Sequence, residues 1–340
     1  MLDVMRKVKK NIHILRKLIP LLSFVVPFLV LYFLYPDSFE ATWKGRTFYV
    51  FFLWLVSLEI ILNWEKLRTN KVNKLRSIRA VAFIVAVLLP TIYVLIANFL
   101  GLNTAIVDLA RQANIQPWWA NLMPLSIEYL VFATIFAIIT FIAYNKEGLA
   151  DFSMSIFLLG AIGMIYIIDN FYPNGTFTPF QIFVPTTAKL AANVLNYMGY
   201  QTIWLPPRDG MPTMIAWDSQ GNPSSPFSIA WPCSGVESLL IYTVTILLFL
   251  KKSGIPWKQK TIYFIIGGIV TYFINVLRIV TIYVISINGG DVSAFHNYYG
   301  QLYSIIWIIS YPLIIIGSRA LWGNIKNRKL VQKRFLNIAN

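Results

Sequence analysis

Apolar residues in this chain are gathered into long blocks with almost no charge, separated by short polar segments. Runs of about 18 or more such residues are long enough to cross the hydrocarbon of a bilayer, whereas shorter ones belong to the interior of soluble proteins. The blocks predict helices near residues 18-35, 48-63, 78-100, 122-143, 153-172, 234-250, 261-287 and 302-323. The pattern therefore predicts an all-α integral membrane protein, a bundle of about eight transmembrane helices. The first apolar run follows a basic N-terminal stretch. It is long, lacks an obvious small-residue cleavage site and is followed by further spans, so it reads as a retained helix and not as a signal peptide.

One segment, residues 173-232, breaks the pattern. Over residues 180-198, Phe183, Leu190, Val194 and Tyr197 recur at helical spacing with Lys189 and Asn193 between them, which predicts an amphipathic helix lying on a membrane interface. The stretches YQTIWL, MPTMIAW and PFSIAW follow, divided by PPRDG and DSQGNPSS, and read as short strands joined by turns. The expected organisation is a five-span region over 1-172, this interfacial helix and strand segment over 173-232, a three-span unit over 233-324 and a basic tail over 325-340.

Composition and charge then orient the chain. Of its 340 residues 57% are hydrophobic and 13% charged, half the share of a soluble protein, and the formal net charge is +15. Lys and Arg near span ends stay on the cytoplasmic side. Residues 1-17 and 66-79 hold six each, Lys146 stands alone, 251-260 hold four and the stretch from Arg319 onward six, all on one face of the predicted topology. Only Lys44, Arg46, Arg111, Lys189 and Arg208 fall on the other face, and Arg278 lies within a span. Both termini are thus expected in the cytoplasm and the 173-232 segment outside. Trp118, Trp119, Trp204, Trp217 and Trp231 fall on that outer side, where amphipathic rings sit at headgroup level. Asn174-Gly175-Thr176 there forms a glycosylation sequon. Anionic lipids account for the basic clusters, so no nucleic-acid partner is expected.

The chain has a single cysteine, Cys233, in the stretch IAWPCSGVES where the sixth span begins. Taken alone, a membrane cysteine is more often a small buried hydrophobe than a nucleophile. If Cys233, Ser234 and Gly235 form the first turn of the span, however, the positive helix end lowers the thiol pKa and the free N–H groups there suit a developing oxyanion. Arg278 lies in the outer half of the seventh span, where a guanidinium costs at least about 2.5 to 3.5 kcal/mol. It is read either as the ion-pair partner of Glu237 or as a group that holds the thiolate or an acyl oxygen, with Asn275 on its face to orient it. His296 opens the eighth span, whereas His13 lies among basic residues at the other face. Thiol, guanidinium and imidazole at the outer ends of three consecutive spans form the minimum set for acyl transfer through a thioester. Glu59, Glu128 and Asp169 are the competing polar residues, read as bundle partners or as the path of a transporter. No metal-ligand spacing, phosphate loop or serine elbow is present, and no cofactor is expected.

PCSGVESL, NVLRI and FHNYYG, in that order on the last three spans, resemble the exosortase and archaeosortase family, with a context closer to the archaeal-type branch. The resemblance is strong over about residues 180-310 and rests on spans alone before that. It implies a membrane-embedded cysteine protease and transpeptidase. Such an enzyme cleaves surface proteins at a C-terminal sorting signal made of a short motif, a transmembrane helix and a basic tail, and passes the new C-terminus to a lipid. Carried over, Cys233 is the nucleophile, Arg278 stabilises oxyanion or thiolate, and His296 is the general acid and base, with Ser234, Gly235, Glu237 and Asn275 in support. Part of the archaeal branch has arginine at the position of His296. A non-enzymatic transporter or envelope-assembly protein, and an acyltransferase using another acyl donor, are the alternatives.

Overall fold

A computed structural model of the chain describes residues 2–41, 44–67, 78–173, 179–296 and 300–338. The sequon at Asn174 and the tyrosine pair after Asn297 lie outside the described residues. Contacts divide the chain into two compact units, Met1–Ile182 with Pro207–Met211, and Phe183–Pro206 with Pro212–Asn340.

The first unit holds helices α1 (Leu2–Leu34), α2 (Thr47–Leu62), α3 (Ile78–Phe99), α4 (Leu102–Gln112), α5 (Pro117–Asp151) and α6 (Ser153–Phe171). The second holds α7 (Val184–Tyr197), strands β1 (Gln201–Arg208) and β2 (Met211–Trp217) except for the residues at their shared turn, and β3 (Phe227–Ser228), then α8 (Val236–Lys252), α9 (Trp257–Ile287), a short turn of helix α10 (Val292–Ala294) and α11 (Gly300–Ile338). The chain is an all-α membrane protein with one small sheet. A helix stands at each of the eight expected places. Among the described residues six are long and apolar enough to cross a membrane: Lys17–Leu34, Val81–Phe99, Pro117–Asp151, Ser153–Phe171, Trp257–Ile287 and Leu302–Trp322. The other two are shorter, α2 with 16 residues and α8 with 17.

In lipid the apolar effect does not press helices together, so packing and polar contacts decide their partners. The first unit uses both. Phe24 lies edge-on to Tyr49, Phe52, Phe132 and Phe136. Lys44 and Arg46 turn inward instead of facing water. Arg46 grips Glu128 with Nε and Nη2, each at 2.8 Å, and Lys44 pairs with Asp169 at 2.8 Å while lying over the Trp119 ring. Lys44 also donates to Asn170 Oδ1. Burial lowers the Lys44 ammonium to about 8 despite the opposing pull of Asp169. Glu59, fully buried, accepts from Met154 N at 3.0 Å and Ser155 Oγ at 2.6 Å, so it caps the start of α6. All three acids are therefore engaged as bundle partners.

The structure refines the expected architecture in three places. Trp119 and Trp231 are 7% and 2% exposed and lie inside the protein, away from headgroup level. The chain before the fourth span forms a helix, α4, which at 11 residues is too short to cross a membrane and seats Ile106 and Ala110 against Ile115, Trp119 and Met123. The amphipathic helix is present as α7, but its inner face is Val184, Thr187, Ala188, Ala191, Ala192 and Leu195. Phe183 and Tyr197, of the apolar face expected to lie on the membrane interface, are 48% and 93% exposed. Small residues allow α7 to approach α9 closely, and Thr187 meets the Tyr272 hydroxyl at 2.6 Å.

In the second unit α8, α9 and α11 share a core of Tyr242, Ile246, Leu250, Ile255, Ile308, Tyr311 and Ile315. Tyr242 and Tyr311 donate to α9 carbonyls at Phe264 (2.7 Å) and Tyr263 (2.8 Å). That approach requires Gly267, where a Cβ would lie 2.3 Å from the Tyr242 hydroxyl. The strands run in the order β1-β2-β3, with β2 and β3 antiparallel and Thr213 opposite Ser228. Asp209 and Gly210, at φ 49° and 76°, make the two-residue turn between β1 and β2. The third strand is two residues long because the chain leaves the sheet to form the turn that carries Cys233.

Candidate active site around Cys233

Trp231–Ser234 is a single 3₁₀ turn, and it is not the first turn of α8 as expected. Gly235, at φ +92°, separates the two, a left-handed conformation that glycine adopts without strain. A Cβ at Gly235 would also lie 3.0 Å from the Asn275 amide, so the glycine lets α9 approach the turn. The Ser234 hydroxyl donates to the Trp231 carbonyl at 2.6 Å, and Trp231 is buried, which fixes the turn from beneath. Asn275, 1% exposed, donates Nδ2 to the Cys233 carbonyl at 2.6 Å. The Cys233 thiol is thus held at both ends of its turn.

This geometry changes the electrostatics expected for the thiol. The Cys233 N–H is committed to the Ala230 carbonyl at 3.0 Å, and the dipole of α8 begins only beyond Gly235. Burial pushes the thiol above its ordinary value; the Arg278 charge offsets part of that push and the Glu237 carboxylate adds to it. A lowered thiol pKa is not found, because desolvation outweighs the nearby cation.

Arg278 does not pair with Glu237 at ion-pair distance. Its Nη2 donates to the main-chain carbonyl of His296 at 3.0 Å, and its Nε is buried with no hydrogen-bond partner among the described residues. His296, partly buried in the turn after α10, is held below its ordinary value by burial and then by the Arg278 charge. The same guanidinium therefore acts on both the thiol and the imidazole. Asn275 Oδ1 is likewise buried and unpartnered among the described residues, so donor and acceptor both stand open one turn apart on α9.

Sequence reasoning missed Tyr283. Fully buried on α9, its ring lies edge-on to Phe227 at 5.2 Å, and its hydroxyl is 3.3 Å from the carbonyls of both Met214 and Phe227. It ties β2 and β3 to the helix that bears Asn275 and Arg278. A tyrosine in an aromatic-rich span gives no signal of this in the sequence. Further along α8, Ser238 donates to Ser304 of α11 at 3.2 Å, below the site.

The arrangement offers a thiol on a fixed turn, a partly buried cation with an open donor, and an imidazole held below its ordinary value on the following loop. Such a set can acylate the sulfur, bind the oxygen of the tetrahedral intermediate and carry a proton. A family model described as transmembrane exosortase matches residues 21–311. No curated protein and no solved structure matches the chain.

Proposed function

Because the chain belongs to the transmembrane exosortase family, we propose that it is a cysteine transpeptidase which cleaves membrane-anchored surface proteins at a C-terminal sorting signal and transfers the new C-terminus to a lipid. The observation that supports this reading is that α9 holds both partners, Asn275 at the Cys233 carbonyl (2.6 Å) and, one turn on, Arg278 at the His296 carbonyl (3.0 Å). Thiol and imidazole then rest as a neutral pair. On attack, Cys233 Sγ bonds to the scissile carbonyl carbon, its proton passes to His296, and the oxygen that becomes anionic takes the open Nε donor of Arg278. Collapse breaks the C–N bond, His296 returns the proton to the leaving amine, and a thioester remains on Cys233. A lipid hydroxyl attacks that thioester, giving up its proton to His296, and the thiolate leaves and is reprotonated.

Asn275 and Gly235 position the turn, Ser234 braces it, and Glu237 opposes premature ionisation of the thiol. The strands held by Tyr283 serve as a lid that keeps water from competing with the acceptor. The charge pattern supports a site at the outer face with both termini in the cytoplasm, where a substrate's basic tail also stays. Confinement to the membrane plane raises the effective concentration of the scissile bond.

Intact mass spectrometry of the purified protein, incubated with a substrate carrying motif, membrane helix and basic tail, tests this. Wild type should carry an acyl adduct that Cys233→Ala lacks and that forms far more slowly in His296→Ala, which has no base to take the thiol proton. Equal processing by wild type and Cys233→Ala would end the proposal.

A further inference from the structure

Away from Cys233, α9 begins at Trp257 beside the stretch Ser318–Trp322 of α11. An open cavity of about 770 Å³ lies between them, with Gln259, Tyr263, Ser318 and Arg319 among its polar lining and Pro256 and Trp322 among its apolar lining. Arg319 donates Nη1 to Gln259 Oε1 at 2.7 Å and forms no ion pair among the described residues. A neutral amide thus fixes the guanidinium and leaves its remaining N–H donors uncommitted.

Neither stretch that lines the cavity carries an acid. Residues 251–260 carry four Lys, and the chain from Arg319 onward carries six Lys or Arg, with no Asp or Glu in either stretch. Trp257 and Trp322, 71% and 73% exposed, flank the cavity as rings of the kind found at headgroup level. At helical spacing from Gln259 and Tyr263 on α9, and from Arg319 and Ala320 on α11, Ile262, Ile266, Leu313 and Ile316 stand exposed, an apolar wall on the same helix faces as the cavity.

We propose that this cavity binds the headgroup of an anionic phospholipid, its phosphate on Arg319 and its acyl chains along the exposed apolar faces of α9 and α11. The polar lining alone suits any small anion. The size of the cavity and the apolar wall beside it single out a lipid. The site is independent of the chemistry at Cys233.

Native mass spectrometry of the full-length protein in detergent, titrated with short-chain phosphatidylglycerol, short-chain phosphatidylcholine and inorganic phosphate, tests the assignment. Phosphatidylglycerol, whose phosphate charge is not offset by a choline ammonium, should be retained about fivefold more strongly than phosphatidylcholine, the attraction of one basic side chain for an anionic lipid. Arg319→Gln should abolish that preference, as should Ser318→Trp, which fills the cavity and keeps the charge, whereas Lys258→Gln should preserve it. Thermal unfolding checks each variant first; if Arg319→Gln does not fold, Ser318→Trp decides. Equal retention of the two lipids, equal loss in Lys258→Gln, or displacement of phosphatidylglycerol by equimolar inorganic phosphate would each overturn the proposal.

Discussion

A single cysteine makes the chemistry of Cys233 directly readable, since any alkylation of the chain reports on it alone. Burial raises the thiol and Arg278 only partly compensates, so fewer thiolates are present at pH 8 than in a free cysteine. Without substrate, iodoacetamide should modify Cys233 more slowly than free cysteine, with a midpoint above the ordinary pH of about 8.5. Arg278→Gln removes the offset and should slow it further. A wild-type midpoint below that of the free thiol would mean a resting ion pair and would discard the neutral-pair account. The imidazole gives the matching acid limb: His296 is held low, so turnover should persist below the ordinary midpoint of about 6.5 before protonation stops it. Cys233, Arg278 and His296 were all legible as residues out of place in an apolar chain. The direction of the thiol's shift was not, because it turns on how deeply the fold buries the Cys233 turn, which no local pattern encodes.

Helices announce themselves in such a chain by hydropathy, and their facing does not. All eight expected places hold a helix, yet α7 turned a small-residue face inward while its large aromatics stayed exposed. Lipid tails are as apolar as Phe and Tyr, so size and fit decide which side meets protein. The same rule governs α9. At Gly267 the hydroxyl-bearing rings of Tyr242 and Tyr311 come close enough that a methyl group would lie 2.3 and 2.4 Å from them. Gly267→Ala should cost about 1 to 3 kcal/mol through overpacking, read as earlier unfolding in a detergent titration. Gly268→Ala, where the nearest atom would be 3.6 Å away, is the control and should be nearly silent. Equal effects at the two glycines would show that backbone freedom, not the tyrosine contact, decides.

At the scale of the molecule, the family match over residues 21–311 reaches well beyond the three motifs that first suggested it, into helices where the sequence shows only apolar blocks. What those blocks concealed is a polar framework: Arg46 with Glu128, and Lys44 with Asp169, chosen as partners across long separations that no local pattern encodes. Removing one member leaves a buried charge alone, so Glu128→Gln should cost about 3 to 5 kcal/mol. The double change Arg46→Leu with Glu128→Leu should recover much of that, as thermal unfolding in detergent would show; a double variant no better than the single would mean that the pair is not what the site requires. The same pairs impose an order on synthesis. Arg46 precedes Glu128 by 82 residues, so at about 5 to 20 residues per second it waits roughly 4 to 16 s for its carboxylate. Until then Lys44 and Arg46 lack their carboxylates, and a ribosome stalled short of α5 holds a chain with two cations and neither of the acids that receive them.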